Sequence, residues 1–207
     1  MKLILSGAVC ALSLFAGVAL AAPADQPGHQ SPAPGTNSES MSAVKDTAAG
    51  AVGVVSAEMT STTKGFVTAA ATSDMYEVEA GKIAEKRAQS DDVKAFAAQM
   101  VKAHTGTTKK LKGIIASNAI AVTPPAHLDD RRQGMIDDLR GAKAADFDHR
   151  YLAQQEAAHK EAQILMRGYA KNGDNAAIRS FAADTLPVVE SHLKMVQDME
   201  AGKKSKM

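Results

Sequence analysis

The chain has 207 residues, of which 45% are hydrophobic and 23% are charged. This composition is typical of a chain that buries a core, and it excludes a protein that is disordered throughout. Tryptophan is absent and aromatic residues make up 4%, which favours closely packed helices over strands. Because 24 Lys and Arg balance 23 Asp and Glu, the net charge gives no long-range attraction to nucleic acid or anionic lipid, and neither is an expected partner.

The N-terminal segment has the three parts of a secretory signal peptide. Lys2 supplies the positive charge, residues 3–20 form an apolar run, and small residues at 19–22 form a cleavage site. Pro23 then stops any helix. We therefore expect residues 1–22 to be removed on export to the periplasm or the medium, leaving no transmembrane anchor.

The single cysteine, Cys10, lies inside this apolar run. A lipid-anchored protein would carry its cysteine just after the run, so lipid anchoring is not expected. Once residues 1–22 are removed, the chain can form no disulfide, thiolate metal ligand or cysteine nucleophile. Its stability must then come from packing.

The segment of residues 23–62 is rich in Pro, Ala and Gly. Four prolines lie within residues 23–34 among Gly, Ser and Gln, a composition that predicts a disordered tether. Residues 43–63 are compatible with a weak helix, although Gly50 and Gly53 disfavour it, and both alternatives stay open. At the other end, residues 202–207 form a loose basic tail.

From Lys64 onward, apolar residues recur at a helical period. The pattern predicts four long helices and one short helix: Lys64 to Arg87, a cap at Ser90 followed by Val93 to Ile115, a short helix at 128–140, a cap at Asp146 followed by a helix to Asn172, and Ile178 to Met199. Pro124 and Pro125 follow the second helix, and Gly173 closes the fourth in the usual manner.

A faint internal repeat relates two of the long helices. Val93 to Ala98 reads VKAFAA, and Ile178 to Ala183 reads IRSFAA. The repeat indicates two related helical hairpins joined by the long connection at 118–145. We therefore predict an all-α, ferritin-like four-helix bundle at 63–201, with a long crossover between its second and third long helices.

Three histidines fall on the apolar sides of three different long helices: His104, His159 and His192. The remaining long helix supplies Glu77 at the edge of its apolar side, and a buried carboxylate is costly unless it is paired or coordinated. Three imidazoles and one carboxylate form a ligand set that zinc, iron or copper accepts. His192 is the weakest candidate, because it lies in the second half of its helix whereas the other three residues lie near the middle of theirs. Secondary candidates are Glu79, Gln155 and Glu156.

Other interpretations remain open for these residues. Each histidine can be a core residue bonded to a neighbour such as Gln155 or Tyr151. Met100, Met166, Met195 and Met199 share the apolar sides and suit copper, although Met more often fills gaps in helical cores. A dinuclear carboxylate site is poorly supported, because Glu156 with His159 is the single Glu-x-x-His pair at the required positions.

Catalytic motifs are scarce in the sequence. No Ser nucleophile motif, Gly-rich phosphate loop or His-Glu-x-x-His run occurs, so an enzyme is not favoured. The first hypothesis is an exported binding or interaction module linked to envelope stress, with an envelope protein or a second copy of the chain as partner. The second is a bundle that binds one transition-metal ion through the Glu and His cluster, and a redox metalloenzyme is a distant third.

Short motifs in a fixed order relate the chain to a known family over residues 63–199. They are MYEVEAGK at 75–82, VKAF at 93–96, MVKAHT at 100–105, Ala158-His159, TLP at 185–187 and SHL at 191–193. In these motifs the chain resembles a bacterial cell-envelope family of unknown function with a ferritin-like fold, often labelled as outer membrane proteins. The resemblance implies a four-helix ferritin-like domain in the cell envelope, and it brings no established activity.

Overall fold

The structure, a computed structural model, describes residues 60–202 of the chain. Within that range it consists of helices and the connections between them, with no strand. The five helices are α1 (Thr63–Arg87), α2 (Asp91–Ser117), α3 (Asp130–Gly141), α4 (Ala144–Asn172) and α5 (Ala176–Glu200). The predicted signal peptide, nearly all of the predicted tether and the basic tail lie outside the described residues.

The predicted elements are present, and the short helix within the long connection is α3. Two helix ends differ from the prediction. Helix α4 begins at Ala144 with Lys143 in the capping position, so Asp146 is not the cap but lies in the first turn, where its charge favours the helix N-terminus. Ser90 does precede α2, but its side chain makes no capping hydrogen bond.

Gly173 follows the end of α4 as predicted, but for a different physical reason. Its φ of −62° is not left-handed, so glycine is not needed there for its conformational freedom. Instead, a Cβ at this position would lie 2.3 Å from a ring carbon of Tyr169. The position excludes a side chain because the Tyr169 ring packs against the backbone.

The four long helices pair as two hairpins. Helix α1 packs mainly against α2, and α4 mainly against α5. Helix α1 also packs against α4, and the two run in opposite directions. At one end, Asp148 at the start of α4 accepts hydrogen bonds from the backbone amides of Gln89 and Ser90, at 2.9 and 2.8 Å. At the other end, Asp174 accepts one from the backbone amide of Thr63, at 2.8 Å.

Buried apolar side chains form two clusters along the helices. Cluster A lies towards the α1–α2 connection and includes Tyr76, Phe96, Met100, Ile136, Phe147 and Tyr151. Cluster B lies towards the start of α1 and includes Phe66, Leu111, Leu165, Tyr169, Ile178 and Phe181. Met166 belongs to cluster B, and Met195 and Met199 pack against cluster A, so the methionines fill the core.

Between the two clusters, each long helix carries a buried titratable side chain. The intervals are residues 71–75 of α1, 101–110 of α2, 159–161 of α4 and 190–192 of α5. They contain Asp74, His104, His159 and His192, all buried. The fold therefore places one polar layer across the interior, enclosed by apolar packing on both sides.

Candidate metal centre

Three histidines meet in this polar layer, and we call His104, His159 and His192 the histidine triad. Their ring centroids lie 5.5–5.9 Å apart. One ring nitrogen from each lies within 4.8 Å of the others. His192, which seemed the weakest by its height along its helix, lies as close to the other rings as they lie to each other.

Two of the rings are oriented by hydrogen bonds on their outer nitrogens. The Nδ1 atom of His104 lies 2.8 Å from Oδ1 of Asp74, and Nδ1 of His159 lies 2.9 Å from the backbone carbonyl oxygen of Gln155. A carbonyl and a carboxylate can only accept, so Nδ1 carries the proton in both rings. When the rings are neutral, each Nε2 therefore presents a lone pair.

Each ring of the triad also carries one nitrogen without a partner. Nε2 of His104, Nε2 of His159 and Nδ1 of His192 are buried and have no hydrogen-bond partner among the described residues. A buried polar atom without a partner costs about 1–3 kcal/mol. The three rings that carry these atoms meet in one layer, so the layer is a candidate ligand site.

Burial keeps two of the three rings neutral. It lowers the pKa of His159 to about 3, helped by the nearby charge of His104. It also lowers the pKa of His192 to about 3, helped by the charges of His159 and His104. Both rings are therefore uncharged at neutral pH, the form in which imidazole binds a metal.

His104 behaves differently because of its acidic neighbours. Burial, the largest single effect, lowers its pKa. The hydrogen bond to Asp74 and the negative charges of Glu77 and Asp74 outweigh burial, so the pKa of His104 lies above its ordinary value. A metal ion that binds this ring competes with a proton.

Asp74 is the residue that sequence reasoning missed. Besides His104, its carboxylate accepts hydrogen bonds from the hydroxyls of Thr107 at 3.2 Å and Thr108 at 3.0 Å. Its spacing was the available signal, since Asp74 lies three residues before Glu77 and therefore on the same side of α1. A carboxylate behind a ligating histidine is a recurrent arrangement in metal sites, where it fixes the tautomer and the ring orientation.

Glu77 lies beside the triad but not among its inward nitrogens. It is buried, and its Oε2 accepts a hydrogen bond of 2.7 Å from the side-chain amide of Gln155. Its Oε1 lies 3.8 Å from Nδ1 of His159, on the ring's outer side. Burial raises the pKa of Glu77 despite the opposing charge of His104. The group of ligand atoms that meets within 4.8 Å consists of the histidines and does not include Glu77.

The secondary candidates divide between the interior and the surface. Glu79 pairs with Arg140 at 2.5 Å, and Glu156 pairs with Lys160 at 2.8 Å, so neither belongs to the triad's ligand group. Gln155 is buried and bonds to His159 through its backbone and to Glu77 through its side chain. The alternative prediction, that each histidine hydrogen-bonds to a neighbouring core residue, thus holds for His159. Its partner is the backbone of Gln155 and not the Gln155 side chain.

The spacing of the triad's nitrogens can be compared with the spacing around a bound ion. Zinc–nitrogen bonds of about 2.0–2.1 Å at tetrahedral angles separate two ligand nitrogens by about 3.3 Å. The triad's nitrogens meet within 4.8 Å, so small side-chain movements would bring them into contact with one ion. Buried, convergent nitrogens with oriented rings fit a transition metal.

Comparison with known proteins places the chain in a family. The sequence profile of a family described as a domain of unknown function, DUF4142, matches residues 48–199. The chain belongs to the DUF4142 family. No match was found among curated proteins or among solved structures.

The DUF4142 match contains Asp74, Glu77 and the whole histidine triad. It also begins before the predicted start of the helical domain at residue 63, at residue 48. In the described part of this DUF4142 chain, no helix combines the length and the apolar character needed to cross a bilayer.

Proposed function

We propose that the chain binds one transition-metal ion through a ring nitrogen each of His104, His159 and His192. The observation that carries the proposal is that three buried rings meet with one nitrogen each within 4.8 Å, and that each ring has a buried nitrogen without a partner among the described residues. Asp74 and the carbonyl of Gln155 hold two of the rings in the required tautomer. Cluster A and cluster B enclose the site with apolar side chains on both sides.

The donor set indicates which metals suit the site. Three imidazoles without a thiolate are compatible with zinc, copper, nickel and iron, and among divalent ions copper binds such donors most strongly. Three protein ligands leave a fourth position of a tetrahedral ion open for water or another small ligand. The proposal is therefore a three-histidine site for zinc or copper, with Glu77 beside it as an outer partner.

The proposal also includes a ferritin-like topology and a location in the cell envelope. Two hairpins, joined by a connection that contains α3, support the ferritin-like arrangement. The signal-peptide pattern of residues 1–22 supports export. We place the metal site in an envelope protein, where disulfides and thiolates play no part once Cys10 is removed. The interaction-module hypothesis has less support, since Val188 is the one large hydrophobic side chain exposed in the described region.

Metal analysis of purified protein tests this function. We expect the wild-type chain to hold one equivalent of zinc or copper after loading and desalting, and His159→Ala to hold much less. His149→Ala is the matched control, because His149 lies exposed on the same helix. Equal metal content in His159→Ala and the wild type would reject the triad as the site.

A further inference from the structure

The histidine triad is enclosed, so an ion needs a route to it. The three residues are 7%, 1% and 4% exposed, in the order His104, His159 and His192. An ion that binds the triad must therefore pass a side chain that gives way.

A cleft of about 680 Å³ opens next to Asp74, the hydrogen-bond partner of His104. Its walls come from α1, α2 and the connection that leads into α3, including Asp74, Val78, Thr105, Thr108, His127 and Leu128. Six water molecules occupy about 180 Å³ at about 30 Å³ each in the liquid, so the cleft admits a hydrated ion with room to spare.

Asp74 connects this cleft to the triad. It lines the cleft and also lies 2.8 Å from Nδ1 of His104. Thr108, another lining residue, donates to the second carboxylate oxygen of Asp74. Two further clefts, of about 280 and 390 Å³, are lined by residues that make no hydrogen bond to the triad.

The cleft also carries donors that suit a cation in transit. His127 is an exposed imidazole in the wall of the cleft, and Asp74 is a buried carboxylate in the same wall. Glu79 adds a second carboxylate, although Arg140 pairs with it, and Lys82 is the one cationic lining residue. Imidazole and carboxylate are the donors that bind zinc and copper reversibly when only one or two are available.

We propose that this cleft is the entry port of the metal ion, with the imidazole of His127 and the carboxylate of Asp74 as transit ligands. The inference rests on the metal site proposed above. A hydrated divalent cation first exchanges water for His127, then meets Asp74, and reaches the triad when the ring of His104 rotates aside. His104 is therefore both a ligand and the gate between the port and the site.

Loading kinetics test the port. Co²⁺ is the probe, because its visible absorption reports coordination by imidazoles in a stopped-flow experiment with metal-free protein. Thr105→Trp fills the cleft and breaks no tertiary hydrogen bond, since the Thr105 hydroxyl bonds within its own helix. His127→Ala removes the outer transit ligand. Lys109→Trp, exposed on the same helix and outside the cleft, and His149→Ala are the matched controls.

We expect both cleft variants to load Co²⁺ about three- to tenfold more slowly than the wild type while reaching one equivalent with unchanged affinity. The controls should load at the wild-type rate. Wild-type loading rates in both Thr105→Trp and His127→Ala would overturn the port and leave the metal site standing. If the wild type itself takes up no Co²⁺, the metal site fails and the port fails with it.

Discussion

Asp74 and His104 form a buried hydrogen bond of 2.8 Å between α1 and α2. It joins the carboxylate that lines the surface cleft to the ring that faces His159 and His192. Because the carboxylate accepts from Nδ1, it leaves Nε2 of His104 free to bind an ion. This pair links the position of the site to its chemistry.

Replacing the carboxylate should weaken metal binding without removing it. Asp74→Asn keeps the shape of the side chain but loses the charge that holds the His104 tautomer. We expect the dissociation constant for zinc to rise about 10- to 100-fold, as is typical for loss of a partner behind a ligating histidine. Competition with a chromophoric chelator measures it. Asp91→Asn, at a fully exposed side chain, is the control, and equal affinities for all three proteins would contradict the assigned role of Asp74.

The metal-free protein should lose stability in acid because of His159. In the unfolded chain this ring gains a proton near pH 6.5, whereas in the folded chain burial lowers its pKa to about 3. Between those values only the unfolded state binds the proton, so the free energy of unfolding falls as the pH drops, by up to ~1.4 kcal/mol per pH unit. Urea unfolding between pH 7 and pH 4 should show a shallower fall for His159→Gln. His192 contributes in the same sense, and identical slopes would count against a buried neutral His159.

Glu77 should act on stability and not as a ligand. Burial raises its pKa in the folded state, so its contribution to stability is present below the unfolded value and is lost as the pH rises through the folded pKa. As the pH rises to neutral, Glu77→Gln should therefore lose less stability than the wild type. The variant should still bind one equivalent of metal. Thermal unfolding and metal analysis on the same preparations check both points. Loss of the bound metal in Glu77→Gln would make Glu77 a ligand after all.

Two glycines of the α4 region should respond in opposite directions to alanine. At Gly173 a Cβ would lie 2.3 Å from the Tyr169 ring, so Gly173→Ala should destabilise the fold by about 1–3 kcal/mol. Gly168 lies within α4 with no neighbouring heavy atom within 4 Å of its Cβ position. Gly168→Ala should stabilise the fold by about 0.5–1 kcal/mol. Denaturant unfolding compares them, and equal shifts would show that Tyr169 does not restrict position 173.

Much of the interior could be predicted because it depends on local periodicity. The 3.6-residue period alone placed His104, His159 and His192 on apolar sides. It could not give their common height, which depends on how the hairpins pack and on where cluster A and cluster B divide the core. That is why His192 looked weakest from its position along its own helix.

The roles that the sequence did not predict depend on contacts that spacing along the chain does not show. Asp74 gains its role from His104, Thr107 and Thr108 on the neighbouring helix, and no local pattern reports such a contact. The role of Gly173 depends on where the Tyr169 ring packs. Glu77 was correctly placed at the interior edge of α1, but its direction relative to the rings depends on the side chain of Gln155.

X-ray absorption on the zinc-loaded chain tests the central claim most directly, because it reports the ligand atoms and their distances from the ion. The account predicts three imidazole nitrogens at about 2.0–2.1 Å and one further ligand such as water at one equivalent of zinc, with the imidazole signal reduced in His159→Ala and retained in His149→Ala. A spectrum without imidazole scattering, or an imidazole signal unchanged by His159→Ala, would contradict it.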